Sequence, residues 1–353
     1  MSPDDLTPPW FSMLFGADIR SVGHEPIGDG LVGMNLRVTL DADRADDDGA
    51  AGVPRSVVVK LPSADATSRA TGVSLRNYER EVKFYAELAD TVDIRVPRCW
   101  HAELDETDGG FVLVLEDMAP AAQGDQLTGC TPDAARATVL ELAKLHGPRW
   151  ADPSLDEIEW LSRRSADDVD RLAELWQLVA PGFDATYRRH LTDDQSKLLD
   201  AFAPRLGEWL DGRTGPTTVT HGDFRLDNLL FGVPDDPTSP PVTAVDWQTP
   251  GQGVAAADLS YFVGAGLLPA DRRTHERHLV GTHVDALRAY GVALDPTEAF
   301  EAYVRESFAG VVMAVIASQI VGGSERSEAM FTAMATRHLQ QALDLDALEL
   351  VVG

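Results

Sequence analysis

The sequence predicts an α+β protein of two lobes: a small antiparallel β-rich N-terminal lobe with one helix, residues 1–117, and a larger, mainly helical C-terminal lobe, residues 118–353. Three observations carry this expectation. At 353 residues the chain is too long for one ordinary hydrophobic core. From Ile19 to about Leu115 apolar residues recur mostly at every second position, the period of a strand with one buried face. After Met118 the spacing changes to that of amphipathic helices.

Taken in order, Thr7 followed by Pro8 opens a short N-terminal helix, since proline at the first helical position removes only an N–H that would lack a partner. The stretches "IRSVGHEPIG", "MNLRVTL", "SVVVKLP", "RVPRCWHAEL" and "FVLVLEDM" read as five strands. One helix interrupts them, "SLRNYEREVKFYAELAD", with Leu75, Tyr78, Val82, Tyr85 and Leu88 on one stripe. The acidic "DADRADDDGAAG" reads as a solvated hairpin tip. "TPDAARATVLELAKLHG" carries a Thr131 cap, Pro132 at its first turn and a Gly147-Pro148 stop, and helical segments continue to about Leu210. A short strand hairpin then holds "VTHGDFRLDNLLF", and helices return from about Asp258 to the end. No repeat is present at periods of roughly 20–50 residues.

Lys and Arg total 30 against 57 Asp and Glu, a formal charge of −27. Such a surface argues against gripping nucleic-acid phosphate or an anionic membrane, and points to small-molecule partners. Two cysteines, Cys99 and Cys130, supply neither a disulfide framework nor a metal cluster, which suits a reducing cytoplasm. The N-terminal "PPWFSMLFG" does not read as a secretory signal. The longest apolar run, from Phe308, is shorter than a bilayer span and reads as a buried helix.

Chemistry enters with "GDGLVG". Gly28, Gly30 and Gly33 satisfy G-x-G-x-x-G, a pattern shared by dinucleotide sites, kinase phosphate loops and ordinary glycine-rich hairpins. A dinucleotide fingerprint must open a helix, yet Met34, Leu36, Val38 and Leu40 alternate as a strand, so the loop is expected to act as a flap over phosphates. Asp29 within it would then point outward. Lys60 closes an apolar strand, where a cation requires an anion beside it, and on the helical wheel Glu81 lies nearest the buried face while Glu79 sits at its edge and Glu87 is turned away. Lys60 set by Glu81 would hold the α/β-phosphates of ATP.

"HGDFRLDN" places Asp223 five positions before Asn228, and eighteen residues later the strand "VTAV" leads to Asp246. Phosphoryl transfer needs a carboxylate to accept the attacking hydroxyl's proton, and an amide oxygen with a second carboxylate to hold Mg2+. Asp223, Asn228 and Asp246 are expected in those roles, Asn228 and Asp246 as metal ligands. Turn-forming residues alone would not require a later aspartate after a strand, a lysine-bearing strand upstream and a glycine loop before both. Backbone groups near Glu116 and Met118 would bind adenine.

These segments resemble the aminoglycoside phosphotransferase and choline kinase-like enzymes of the protein-kinase-like fold, whose catalytic segment is similar to H-G-D-x-x-x-x-N followed by two further aspartates. "HGDFRLDN", "VDWQTPG" and "ADLSYF" match. "EREVKFYAEL", "VPRCWHAEL", "FVLVLEDM" and "LAKLHGPRW" are similar to the ecdysteroid kinase-like branch, including its bacterial members. The resemblance runs from about Ile19 to Leu350. It implies a bilobal kinase-like fold, an ATP- and Mg2+-dependent transfer to a small-molecule alcohol, and Asp258 as a structural brace of the catalytic loop. His221, in the place of the kinase catalytic-loop histidine, is expected to be structural, because the neighbouring Asp223 suits the base's role. Trp247-Gln248 stands where many protein kinases have Phe-Gly, so switching of that segment does not carry over. A nucleotide-binding pseudokinase scaffold or a nucleotidyl transferase using the same residues are the alternatives.

Three further readings complete the sequence. Cys99, His101 and Glu103 alternate on one strand face but lack a fourth zinc ligand. His146 ends a helix, where the dipole favours a cation or a carbonyl contact. Trp150, Trp160, Trp176 and Trp209 read as packing anchors, and Trp160, Trp176, Phe183, Tyr187, Tyr303 and Phe308 lie on the helices expected to build the substrate pocket.

Overall fold

A computed structural model describes residues 1–28, 33–42, 52–163, 165–236, 238–321 and 323–352. Asp29 and Gly30 of the glycine loop and most of the acidic tip lie outside the described residues. The chain forms two compact units. The first takes in Met1–Asp90, Val96–Ala119 and Asp246–Thr249, and the second Thr91–Arg95, Pro120–Val245 and Pro250–Gly353.

In the first unit β1 (Ile19–Pro26), β2 (Gly33–Ala42), β3 (Ser56–Pro62), β4 (Cys99–Leu104) and β5 (Phe111–Glu116) form one antiparallel sheet in the order β1-β2-β3-β5-β4. The expected alternation is present: Leu36, Val38 and Leu40 of β2 and Val57, Val59 and Leu61 of β3 are buried in one core with Phe11 of the helix Pro8–Phe15. Lys60 therefore points to the opposite face. Strand β5, between β3 and the edge strand β4, is apolar at every position from Phe111 to Leu115 and buried on both faces.

The helix expected as one piece is divided. Ala66–Ser74 is already helical, capped by Asp65 onto the Ser68 N–H at 2.8 Å, and Arg76 then takes φ +58° before the helix Asn77–Lys83 begins. The break lets the Tyr78 ring close over Gly72, where a Cβ would lie 2.5 Å from the ring. Tyr78, Val82, Tyr85 and Leu88 are buried as the stripe predicts, whereas Leu75, beside the break, is 39% exposed. One π-helical turn, Phe84–Leu88, follows.

The second unit is mainly helical. Thr131 accepts the Ala134 N–H to open Pro132–His146, and Ala166–Tyr187, Asp193–Phe202 and Leu206–Asp211 follow. After the strands come Ala255–Gly266, Pro269–Leu287, Pro296–Arg305, the apolar Ser307–Ile320 and Glu325–Asp344. Trp160, Trp176, Phe183, Tyr187, Tyr303 and Phe308 are all buried side chains of the fold. Among the described residues no helix is long and apolar enough to cross a membrane.

Six short strands complete the second unit: β6 (Ala122–Gln123), β7 (Ser162–Arg163), β8 (Thr218–Thr220), β9 (Leu229–Phe231), β10 (Val242–Ala244) and β11 (Gly251–Gly253). They form two sheets, β10-β9-β6 and β7-β11-β8. The expected hairpin is thus β9 with β10, while β8 pairs with β11. The segment His221–Asn228 links one small sheet to the other and is anchored at both ends.

Candidate active site

Within the first unit, strand β3 and the helix Asn77–Lys83 bring a cation and an anion together out of water. Lys60 Nζ lies 2.5 Å from Glu81 Oε1 and 2.9 Å from Asp246 Oδ1. Burial alone would lower the Lys60 pKa, but Asp246 and then Glu81 outweigh it and hold the ammonium well above the ordinary lysine range. Burial raises the Glu81 carboxyl, opposed by Lys60. Asp246 sits at φ +66°, a strained backbone for a residue with a side chain, and its carboxylate is 38% exposed.

Its neighbours hold it there. Trp247 is fully buried and stacks on Phe84 with ring centroids 3.7 Å apart and planes 4° from parallel, while Gln248 Nε2 donates to Glu81 Oε2 at 3.4 Å. Phe84 lies three residues beyond Glu81, so one turn of helix fixes both the lysine's partner and the segment carrying Asp246. Glu79 pairs instead with Arg76 and Lys83. Gly28 adopts φ +67°, a conformation suited to glycine, and Gly33 opens β2 opposite Pro62. At the end of β5 the Glu116 N–H donates to Arg98 O and its carboxylate accepts the Arg98 N–H. Asp117, just before Met118, is held by Arg37 Nε at 2.8 Å.

Within the second unit the loop after β8 is gathered around Asp258. Its carboxylate accepts the N–H groups of His221 and Gly222 at 2.7 and 3.0 Å and contacts His146 Nε2 at 3.3 Å. Burial would raise the Asp258 pKa; the hydrogen bond and charge of His146, with His221, bring it below the ordinary value. His146 continues inward to His283, Nδ1 to Nε2 at 3.0 Å. The helix-end histidine thus meets a buried carboxylate and a second imidazole. His221 Nδ1 accepts the Asp223 N–H, and Nε2 lies 3.0 Å from Val245 O, so both ring nitrogens are engaged in shaping the loop.

Asp223 is the centre of that loop. Asn228 Nδ2 donates to its Oδ2 at 2.9 Å and to its backbone carbonyl at 2.9 Å, which directs the amide oxygen of Asn228 away from Asp223. Arg225 Nε spans both carboxylate oxygens at 3.2 and 3.1 Å, and the Tyr261 hydroxyl donates to Oδ1 at 2.7 Å. Arg225 also pairs with Asp227. The sequence reading did not assign Tyr261 or Arg225. Tyr261 lies one helical turn beyond Asp258, which could have marked it; Arg225 sits two residues from Asp223 with no pattern to single it out. Elsewhere, His101 Nε2 contacts Glu103 at 3.1 Å and Cys99 Sγ donates to the His101 carbonyl. Among the described residues no group of three His, Cys, Asp or Glu side chains is placed to hold a metal.

The sequence matches a family model described as "Phosphotransferase enzyme family" over residues 47–297, a stretch containing Lys60, Glu81, Asp223, Asn228, Asp246 and Asp258. The chain belongs to the phosphotransferase enzyme family. Solved structures share its fold at low sequence identity. Choline kinase from Cryptosporidium parvum Iowa II is 11% identical, with 93% of this chain and 91% of that chain covered and a TM-score of 0.57. Macrolide 2'-phosphotransferase from Brachybacterium faecium is 18% identical, with 94% and 97% covered and a TM-score of 0.52. A spectinomycin phosphotransferase, solved with ADP and spectinomycin, is 13% identical, with 98% and 99% covered and a TM-score of 0.53. No curated protein matches the sequence. This phosphotransferase-family chain has the protein-kinase-like α+β fold, an antiparallel sheet unit followed by a helical one. Chemically, its first unit offers a fixed ammonium beside a half-exposed carboxylate, and its second a carboxylate oriented by three donors.

Proposed function

We propose that this chain transfers the γ-phosphoryl group of ATP to the hydroxyl of a small molecule. The observation that carries the reading is Lys60: a buried ammonium held at 2.5 and 2.9 Å by Glu81 and Asp246, with the second carboxylate part-exposed. A cation fixed in this way is pre-positioned for an anion such as the α/β-phosphates, with no reorganisation left to make. Gly28, Gly30 and Gly33 would cover the phosphates, and backbone groups near Glu116 and Met118 would hold adenine.

The residues present suit magnesium. Asp246 offers a part-exposed carboxylate and Asn228 an amide oxygen turned from Asp223, both hard oxygen donors. Few protein ligands are what Mg2+ requires when phosphate and water complete its shell. When bound, the ion would neutralise charge on the phosphates. Asp223 would orient the acceptor hydroxyl and take its proton late, because the transition state is loose. Asp258 and His221 would act only by holding the loop. The acceptor would be a small-molecule alcohol. Free thiols at Cys99 and Cys130 fit a cytoplasmic setting.

The test is ADP release from magnesium ATP across a library of alcohols, with product mass and Asp223→Asn as controls. A product heavier by one phosphate, and a rate lowered about 10²–10⁴-fold in the variant with ATP binding retained, support the reading. A product heavier by a nucleotide replaces it with nucleotidyl transfer. ATP binding without turnover of any alcohol makes the chain a nucleotide-binding scaffold.

A further inference from the structure

The helix Ala255–Gly266 meets the loop His221–Asn228 at two points. Asp258 takes the N–H groups of His221 and Gly222, and Tyr261 places its hydroxyl 2.7 Å from Oδ1 of Asp223. Residues three apart share a helix face, so one face of one helix braces both the loop's backbone and the side chain of its carboxylate. The other two donors described above, Arg225 and Asn228, belong to the loop itself and move with it. Tyr261 reaches in from outside and refers Asp223 to the helical frame.

The tyrosine is itself fixed. His338, from Glu325–Asp344, stacks on its ring with centroids 5.5 Å apart and planes 19° from parallel. The imidazole is wedged where two glycines lack side chains: a Cβ on Gly264 would come 2.6 Å from His338 Nδ1, and one on Gly310 2.0 Å from Nε2. Gln341 Oε1 lies 3.2 Å from Nδ1, and both rings are buried. Burial and the adjacent Asp223 carboxylate push the Tyr261 hydroxyl well above the ordinary phenol range, so it remains a donor throughout neutral pH.

We propose that Tyr261, held by the His338 ring, is a positioning residue for phosphoryl transfer, fixing the rotation of the Asp223 carboxylate through its hydroxyl. The inference rests on the reading of Asp223 as the group that orients the acceptor hydroxyl. Its distinct content is that orientation comes from outside the catalytic loop, through a contact that the family match over residues 47–297 includes at Tyr261 but not at His338.

The test compares wild type, Tyr261→Phe, Asp223→Asn and the double variant by ADP release from magnesium ATP with water as acceptor. Tyr261→Phe keeps the ring and its stack, and removes only the donor. It is expected to lower kcat about 10–100-fold, the range of one hydrogen bond to a charged group, with KM for ATP unchanged. The double variant should be no slower than Asp223→Asn alone. Urea unfolding of the same four proteins reads the contact whether or not water is accepted, and the two losses of stability should fail to add. A wild-type kcat in Tyr261→Phe, losses that multiply in the double variant, or stability losses that add overturn the proposal. Asp223→Asn turning over at the wild-type rate would instead bring down the reading of Asp223 itself.

Discussion

Lys60 Nζ and Asp246 Oδ1 lie 2.9 Å apart although 186 positions separate the residues in sequence. The contact is made inside the first unit, because the chain returns to it for the four residues Asp246–Thr249 after passing through most of the second. The return is secured by packing as well as charge, through the Trp247 stack on Phe84.

Removing the ammonium should expose how the pair is balanced. Lys60→Met leaves Glu81, 0% exposed, without its cation, and breaking a buried pair from one side costs about 3–5 kcal/mol. Urea unfolding should show that loss. Adding Glu81→Gln to Lys60→Met should recover much of it, and a double variant no more stable than the single would show that the buried charge is not the cause.

Asp246→Ala is expected to abolish the magnesium dependence of ATP binding. Calorimetry with and without EDTA checks this. Wild type should bind ATP more weakly once the ion is chelated, and the variant should bind equally in both conditions; a variant that still loses affinity with EDTA removes Asp246 from the metal's shell.

Gly310→Ala reverses a familiar rule. In a helix interior alanine is ordinarily better than glycine by about 1 kcal/mol. Here the added Cβ would sit 2.0 Å from Nε2 of a fully buried imidazole in a packed core. The clash wins, and overpacking should lower stability by about 1–3 kcal/mol. A thermal melt with an unchanged or raised midpoint would contradict the placement of His338.

Acidification should destabilise the protein through its buried histidines. Burial pushes His338 down from 6.5 to about 4, and burial with the neighbouring His146 pushes His283 well below its ordinary value. Between pH 6.5 and about 4 the unfolded chain therefore binds protons at His338 that the folded chain refuses, so stability falls as pH falls. For His338 the loss at pH 5 is about 2 kcal/mol. Below that window Asp258, whose folded pKa is depressed, adds a second loss as it protonates. Unfolding midpoints that stay level from pH 7 to pH 5 would show that neither histidine is held neutral.

Much of this was legible from the order of residues. All five strands of the first sheet were legible, β2 and β3 through the alternation that one buried face imposes and β5 through an unbroken apolar run. The wheel singled out Glu81 over Glu79 and Glu87, since a helix fixes the direction of every side chain along it. The motif "HGDFRLDN" carried Asp223 and Asn228 together because five residues of one tight loop keep them in contact. The left-handed break at Arg76 was not legible: it answers to the Tyr78 ring closing on Gly72, and nothing in the apolar stripe marks it.

By itself, then, the sequence determined the five strands of the first sheet, the helical character of the second unit, and the one loop that holds Asp223 and Asn228, because those properties are local and periodic. The order β1-β2-β3-β5-β4, the separate pairing of β8 and β9, the arrival of Asp246 beside Lys60, and the Tyr261–His338 stack behind Asp223 were decided only on folding. These depend on which distant surfaces fill one another's space, and close packing is a property of the assembled unit that no single stretch of chain contains.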